Sequence, residues 1–440
     1  MDWMTALIIL LGLLCLLMLT GLPVAFAFLG VNLIGAYLFL GGEIGLGQVI
    51  RNAMQSMLNY SLAPIPLFIL MGELMLHTGL AFRAINAIDK MIRRVPGRMP
   101  VVSVAAGTAF SALSGSSMAN TAMLGSTLLP EMLRKGYHPH LAIGPILAVG
   151  GIAILIPPSA LAVLLGSLAR IPISSLLIAG VIPGLILAMC FTAYIIGRAV
   201  LNPDLVPAED DGEPDSGWER YWPFLRDVLP LFAIFFAVVG SLIGGFATPT
   251  ESAAIGVAAT LVAAICYRKL RVVSVAKAIV ETGKVSGLIL FIIVASLTFS
   301  QILAFSGAAS GMLQAVQAMN LTPLAIIVVI VLILLFLGCF VDQVSMMMIT
   351  IPFFIPLALS AQIDLVWLGI IYLLAMEIAL LTPPFGLLLF VMKGVAPTHI
   401  TLGDVVRSAL PFLGIHFMVL LLIIAFPALG TWLPQTLLQP

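Results

Sequence analysis

Charge is what this chain has least of. Asp, Glu, Lys and Arg make up 9% of its 440 residues, against roughly 25% in an ordinary soluble domain. Apolar residues make up 62%, and the mean hydropathy is +1.21. The polar surface that would keep a soluble fold of this size in water is missing. The balanced net charge says nothing about nucleic acid, which is not among the expected partners of a polytopic membrane protein; the distribution of the charges is what matters. No Lys or Arg precedes Arg51, so the first apolar run, Met4 to Thr20, lacks the basic start of a signal peptide and reads as a retained span. Four cysteines, Cys15, Cys190, Cys266 and Cys339, stand alone in apolar runs. That excludes a disulfide framework, and they read as small buried hydrophobes. Five histidines (His77, His138, His140, His399 and His416) are equally scattered, with no His-Glu-x-x-His pattern, so a zinc protease has no support.

What is present is a succession of apolar segments of roughly 20 residues, the length that crosses a hydrocarbon core of about 30 Å. They cover about 4–20, 23–41, 61–78, 100–113, 117–133, 139–169 and 173–200 in the first part of the chain. The second part holds about 224–246, 249–267, 285–305, 323–339, 343–360, 364–392 and 405–427. Amphipathic stretches at Gly47 to Leu58, Ala81 to Arg94 and Arg271 to Gly283 suit helices lying at the interface. The only hydrophilic linker, Asn202 to Arg220, carries the acidic run Glu209, Asp210, Asp211, Glu213 and Asp215. The expected fold is an all-α polytopic membrane protein with about 10–11 spanning helices and two re-entrant hairpins.

Two halves are related at an offset of 226 residues. Pro23 pairs with Pro249, Gly30 with Gly256, Pro130 with Pro356, Pro157 with Pro383 and Pro158 with Pro384. Internal repeats in a membrane chain of this size point to a transporter. Charge then sets direction. Arg83, Lys90, Arg93, Arg94 and Arg98 precede the stretch from Ser114 to Thr121, and Arg134 and Lys135 follow it, so both flanks are cytoplasmic. The residues between must enter and leave on one side, as a re-entrant hairpin. No Lys or Arg occurs between Lys284 and Lys393, which places the matching hairpin, turning near Asp342, on the outer side. The repeats are therefore expected to be inverted. The first spans 1–200, with scaffold helices 1–95, a hairpin and broken helix at about 100–170 and a linking helix 173–200. An acidic cytoplasmic linker, 201–222, joins it to the second, 223–440. That repeat has scaffold helices 224–305, a hairpin and broken helix at about 323–393 and a last helix 405–427.

Irregular backbone at membrane depth survives only where protein buries it or it lines a polar cavity. Four places invite it: the two hairpin turns and the double prolines Pro157-Pro158 and Pro383-Pro384, where a helix loses donors and breaks. Each break offers carbonyls to a cation and N–H groups to an anion. The first turn, Ser114-Gly115-Ser116-Ser117 with Asn120 and Thr121, supplies hard neutral oxygens suited to Na⁺. Helix pairing through small residues is the alternative reading of the same serines. The second turn supplies Asp342, Gln343 and Ser345, and the break beside it Thr382, Pro383 and Gly386. Asp342 in such apolar surroundings needs a partner or a purpose. Glu377, six residues before Pro383, either orients the break or titrates. Glu73 and Glu251 read as helix-packing anchors or as transport residues, and Arg170 and Lys393 as side chains snorkelling to the interface.

These residues together resemble the large membrane subunit of tripartite ATP-independent periplasmic (TRAP) transporters. The resemblance rests on Leu113-Ser114-Gly115-Ser116-Ser117 with Leu129-Pro130 and Arg134-Lys135-Gly136-Tyr137, and on Ile156-Pro157-Pro158-Ser159. It continues through Gly245 with Thr248-Pro249-Thr250-Glu251, Phe340-Val341-Asp342 with Ile351-Pro352 and Ile355-Pro356, and Glu377 with Leu381-Thr382-Pro383-Pro384-Phe385-Gly386. It implies a sodium-driven importer in a bacterial inner membrane, working with a small membrane subunit and a periplasmic substrate-binding protein. The implied substrates are organic acids, and the implied fold is that of the ion-transporter superfamily, with both hairpins in a domain that moves like an elevator. By that likeness Ser114, Ser116, Ser117 and Asn120, with carbonyls near Pro157, hold one sodium ion. Asp342, Ser345 and carbonyls from Thr382 to Gly386 hold the other. The implied cofactor set is Na⁺ alone as coupling ion. Two departures stand out: Ala153-Ile154-Leu155 replaces a Gly-Pro pair before the first double proline, and Leu387 to Leu389 replace an asparagine after the second. The competing readings are a stand-alone carboxylate carrier without a binding protein, a channel and, with least support, an intramembrane enzyme.

Overall fold

The computed structural model describes residues 2–58, 60–92, 95–207, 218–384 and 386–438. The acidic run Glu209 to Asp215 and the pair Arg93-Arg94 lie outside them. The described residues form helices and no strand. In the first half these are α1 (Trp3–Leu19), α2 (Val24–Phe39), α3 (Glu43–Met57), α4 (Pro64–Thr78), α5 (Leu80–Met91) and α6 (Arg98–Ser114). They continue as α7 (Ser117–Arg134), α8 (Pro139–Ile152), α9 (Ala160–Ala169), α10 (Ile173–Ala179) and α11 (Val181–Leu201). After α12 (Trp218–Asp227) come α13 (Leu229–Ile243), α14 (Pro249–Cys266), α15 (Val272–Phe305), α16 (Ala308–Ala318) and α17 (Pro323–Gly338). The last are α18 (Gln343–Ser360), α19 (Leu365–Leu381), α20 (Leu387–Val395), α21 (Leu402–Ala425) and α22 (Ala428–Leu438).

Among the described residues, seven helical stretches are long and apolar enough to cross a bilayer, and six shorter apolar helices accompany them. The offset of 226 holds for whole elements. Helix α7 begins at Ser117 and ends at Arg134, and α18 begins at Gln343 and ends at Ser360. In the same way α2 matches α14, α6 matches α17, α8 matches α19 and α9 matches α20. Packing between halves is reciprocal: α4 lies on α14 while α15 lies on α2, and α7 meets α20 while α18 meets α9. Such crossing contacts are what a two-fold relation between repeats produces.

Two expectations need correction. Arg271 to Gly283 is not a separate interfacial helix but the first third of α15, which runs unbroken for 34 residues. The equivalent first-half segment is divided into α3 and α4, where Pro64 and Pro66 interrupt the chain; no proline falls within α15. Cys15 and Cys266 are exposed rather than buried. On a chain whose outer surface faces lipid, an apolar context no longer implies burial. The methionines Met346, Met347 and Met348 are fully buried, as packing residues.

Candidate functional site

The two hairpins, α6–α7 and α17–α18, each turn on a capping residue at the same place in the repeat. Ser116 caps α7, its hydroxyl accepting from the Ala119 N–H at 3.3 Å. Its counterpart Asp342 caps α18, one carboxylate oxygen accepting from the Val344 and Ser345 N–H groups at 3.0 and 3.1 Å. The other oxygen accepts from the Ser345 hydroxyl. Part of the polarity that marks these turns is thus the chemistry of starting a helix inside an apolar environment, where an unsatisfied N–H is costly.

The first turn docks on the first break. Helix α8 ends at Ile152, the Pro157-Pro158 peptide is cis, and α9 starts under a Ser159 cap whose hydroxyl accepts from Ala162 N–H at 3.2 Å. Gly115 has φ +59°, and a Cβ there would stand 3.0 Å from the Pro158 carbonyl oxygen. Only glycine meets both conditions without strain. Asn120 then fastens α7 to its neighbours: its amide nitrogen donates to the Gly107 carbonyl, the Ser111 hydroxyl and the Val149 carbonyl at 3.2, 2.5 and 3.3 Å.

Several buried polar atoms in this region have no hydrogen-bond partner among the described residues. They are Ser117 Oγ, Asn120 Oδ1, Thr121 Oγ1, both oxygens of Glu377 and His416 Nε2. The residues bearing them are at most 4% exposed. Gly150 and Gly151 make room for them: a Cβ on Gly150 would fall 2.1 Å from Thr121 Oγ1, and one on Gly151 would fall 2.8 Å from Glu377 Oε2 and 3.1 Å from His416 Nε2. His416 Nδ1 faces the Phe412 carbonyl at 2.9 Å, which makes Nδ1 the protonated nitrogen and leaves Nε2 as an acceptor. Glu377 comes from α19 of the second half but lies against α7 and α8 of the first, with the Ser117 hydroxyl and the Ile154 amide as its polar neighbours. An ionised carboxylate without partners is costly to bury, so this site calls for a cation or a proton.

The second turn is more open. Asp342 and Gln343 line a cavity of about 210 Å³ with Gly338, Ala379, Leu380 and Phe390, beside the second break. Gln343 Nε2 is buried and unpartnered. Ser345 is buried and spends its hydroxyl on Asp342. The Pro383-Pro384 peptide is cis, the Thr382 hydroxyl donates to the Ile378 carbonyl at 2.7 Å, and the Gly386 N–H donates to the Thr382 carbonyl at 3.0 Å.

The structure therefore gathers Gly115, Ser116, Ser117, Asn120, Thr121, Pro157, Pro158 and Glu377 at one place. Asp342 and Gln343, with Ser345 bonded to Asp342, meet residues on either side of the second break, Ala379, Leu380, Leu387 and Phe390, whereas Thr382 and Gly386 make their hydrogen bonds within the break itself. Ser114 ends α6, with its side chain outside the described residues, as is Phe385. Glu251 joins neither group. It is exposed and completes a capping box with Thr248 at the start of α14, accepting from the Thr248 N–H at 2.7 Å. Glu73 pairs with His77 at 3.3 Å. Sequence reasoning passed over His416. The signal was available: an ionisable residue deep in the last apolar run, the same feature that drew attention to Glu377.

The model of the family described as "Tripartite ATP-independent periplasmic transporter, DctM component" matches residues 11–429. The chain belongs to the DctM family. Among its relatives, the C4-dicarboxylate TRAP transporter large permease protein DctM of Pseudomonas aeruginosa is 33% identical over 86% of this chain and 87% of its own. The ectoine TRAP transporter large permease protein TeaC of Halomonas elongata is 29% identical over 95% of this chain and 96% of its own. The solved YdaH transporter of Alcanivorax borkumensis shares the fold, with a TM-score of 0.62 at 13% identity over 91% of each chain. As a DctM permease, the protein is a multi-pass component of the bacterial inner membrane. It serves substrate import together with a periplasmic substrate-binding protein and a smaller membrane subunit.

Proposed function

We propose that this permease couples import of a small organic acid to sodium, by elevator-type alternating access. The observation that carries the reading is the set of buried, unpartnered oxygens where the first hairpin meets the first break. Ser117, Asn120, Thr121 and Glu377 each carry a buried side-chain oxygen with no hydrogen-bond partner among the described residues. Oxygen donors at this density favour a hard monovalent cation over a transition metal. Ser116, Gly115 and the carbonyls around Pro157 and Pro158 hold the backbone in place around it. A second ion is assigned to Asp342, Gln343 and Ser345 with the backbone of Thr382, Pro383 and Gly386. The substrate's acidic group is held between the two hairpins, by N–H groups of the half-helices and by the field of the bound cations.

The proposed mobile unit comprises α6–α9 and α17–α20 with α11 and α21, which pack on α8 and on each other. The proposed scaffold comprises α1–α5 and α13–α16. Its cross-repeat pairs α4–α14 and α2–α15 give it continuity independent of the hairpins. The deciding experiment reconstitutes the chain with both partners in proteoliposomes and measures uptake of succinate and of ectoine. Uptake is expected with an inward sodium gradient and not with a proton gradient in sodium-free buffer. Uptake on protons alone overturns the sodium reading.

A further inference from the structure

At the far end of α9 a polar cleft of about 550 Å³ opens between α9 and two scaffold helices, α3 and α15. It lies on the face of the fold opposite the start of α8, hence opposite Arg134 and Lys135. Its polar lining is Asn52, Gln55 and Ser56 from α3, Ser167 and Arg170 from α9 and its end, and Ser300 and Gln301 from α15. No acidic side chain lines it. Arg170, read from the sequence as snorkelling to the interface, is exposed and also lines this cleft.

Three observations turn this cleft toward an anion. Arg170 stands at the C-cap of α9 with φ +55°, where glycine is the usual choice. A left-handed arginine is costly, and such cost collects where the side chain is needed. Among the described residues no carboxylate pairs with it. Finally, the amides are aligned in series: Gln48 donates to Asn52 at 3.1 Å, and Asn52 donates to the Gln301 carbonyl oxygen. Among the described residues that leaves the Gln301 NH₂ unspent, with that of Gln55 and the Ser300 hydroxyl. A guanidinium, two amide donors and a hydroxyl, with no acid among them, match a carboxylate. The volume falls in the range of roughly 300–1,000 Å³ typical of small-molecule sites.

We propose that the cleft is an outer-side station for the acidic group of the substrate, between its release from the binding protein and its arrival at the hairpins. The proposal rests on the organic-acid import reading above. Arg170 rides on the mobile unit, whereas Gln55, Ser300 and Gln301 stand on the scaffold. A bound anion therefore bridges the two and is held only at the end of the cycle in which these walls face each other. Ser167, one turn before Arg170, marks that alignment by donating to the Ser61 carbonyl at 3.0 Å.

The test uses the reconstituted three-part complex and whichever of succinate and ectoine the wild type takes up. Arg170→Gln is expected to raise the half-saturating concentration about tenfold, the loss of one charge-assisted contact. Arg170→Lys should fall between, and the sodium half-saturation should stay unchanged in both. Gln301→Leu, made in parallel, should shift the same parameter in the same direction. Half-saturation unchanged in Arg170→Gln, or a fall in maximal rate alone, overturns the proposal. Should Arg170→Gln fail to reach the membrane, Arg170→Lys and Gln301→Leu decide it by the same measurement. A wild type that carries neither acid with sodium and both partners present overturns the import reading instead.

Discussion

Glu377 sits at the point where the two halves of the molecule press together, fully buried, with the Ser117 hydroxyl and the Ile154 amide as polar neighbours and no cationic side chain paired with it among the described residues. Glu377→Gln keeps the shape and removes the charge. Because a buried unpaired charge is unfavourable, the variant should melt at the same temperature as the wild type or higher. Uptake should nevertheless fall by about tenfold or more, which is roughly 1.4 kcal/mol in the barrier. Undiminished uptake would assign Glu377 to folding alone. Gly115 makes the opposite case, a residue that contributes by having no side chain. Gly115→Ala forces a Cβ into the left-handed region and against Pro158, at a cost of about 1–2 kcal/mol. It should lower the melting temperature and weaken sodium dependence together, since it lifts the hairpin tip from the break.

Helix starts explain more of the polar residues than their rarity suggested. Ser116, Ser159, Thr322, Asp342 and Asp364 all accept from backbone N–H groups at N-termini, and Thr248 and Thr401 do so within capping boxes. Asp342 can be dissected on this basis. Asn caps almost as well as Asp, while Ala does not, and losing a cap costs about 1 kcal/mol. Asp342→Asn should keep thermal stability and lose uptake if the charge holds a cation, and Asp342→Ala should lose both. Normal sodium-dependent uptake by Asp342→Asn would reduce Asp342 to a cap. The hairpin arms, the double-proline breaks and the offset of 226 were readable because proline and charge leave marks at fixed positions. The capping roles of Asp342 and Glu251 were not, since a cap and a ligand call for the same residue types. His416 was hidden for another reason: its relation to Glu377 spans 39 residues and depends on Gly151, whose missing side chain leaves no sign of what it admits.

At the scale of the whole molecule, elevator motion makes a claim about which contacts persist. Gly125 of α7 lies against Val395 and Met392 of α20, within one proposed unit. Ser61 and Ser167 meet across the boundary between units. In a variant lacking the four native cysteines, a Cys pair at positions 61 and 167 should stop uptake when oxidised and release it on reduction. A pair at 125 and 395 should leave uptake intact. Arrest by both pairs, or by neither, contradicts the division. The proposed division follows the repeat, but the sequence reads α11 and α21 only as a linking and a last helix. Their attachment to α8 is a matter of tertiary packing, on which an apolar run is silent.

The unbroken α15 carries one consequence for the membrane around it. At 1.5 Å per residue its 34 residues extend about 51 Å, well beyond a hydrocarbon core of roughly 30 Å. Lys277, Glu281 and Lys284 lie in its first half, with Lys284 paired to Glu281 at 2.7 Å, and the last third carries Gln301. One end thus carries exposed charges and the other joins the amide ladder of α3. In the proposed elevator the helix would act as a depth gauge: it would fix how far the scaffold sits in the bilayer, so that a thicker or thinner membrane would change the stroke required of the proposed mobile unit.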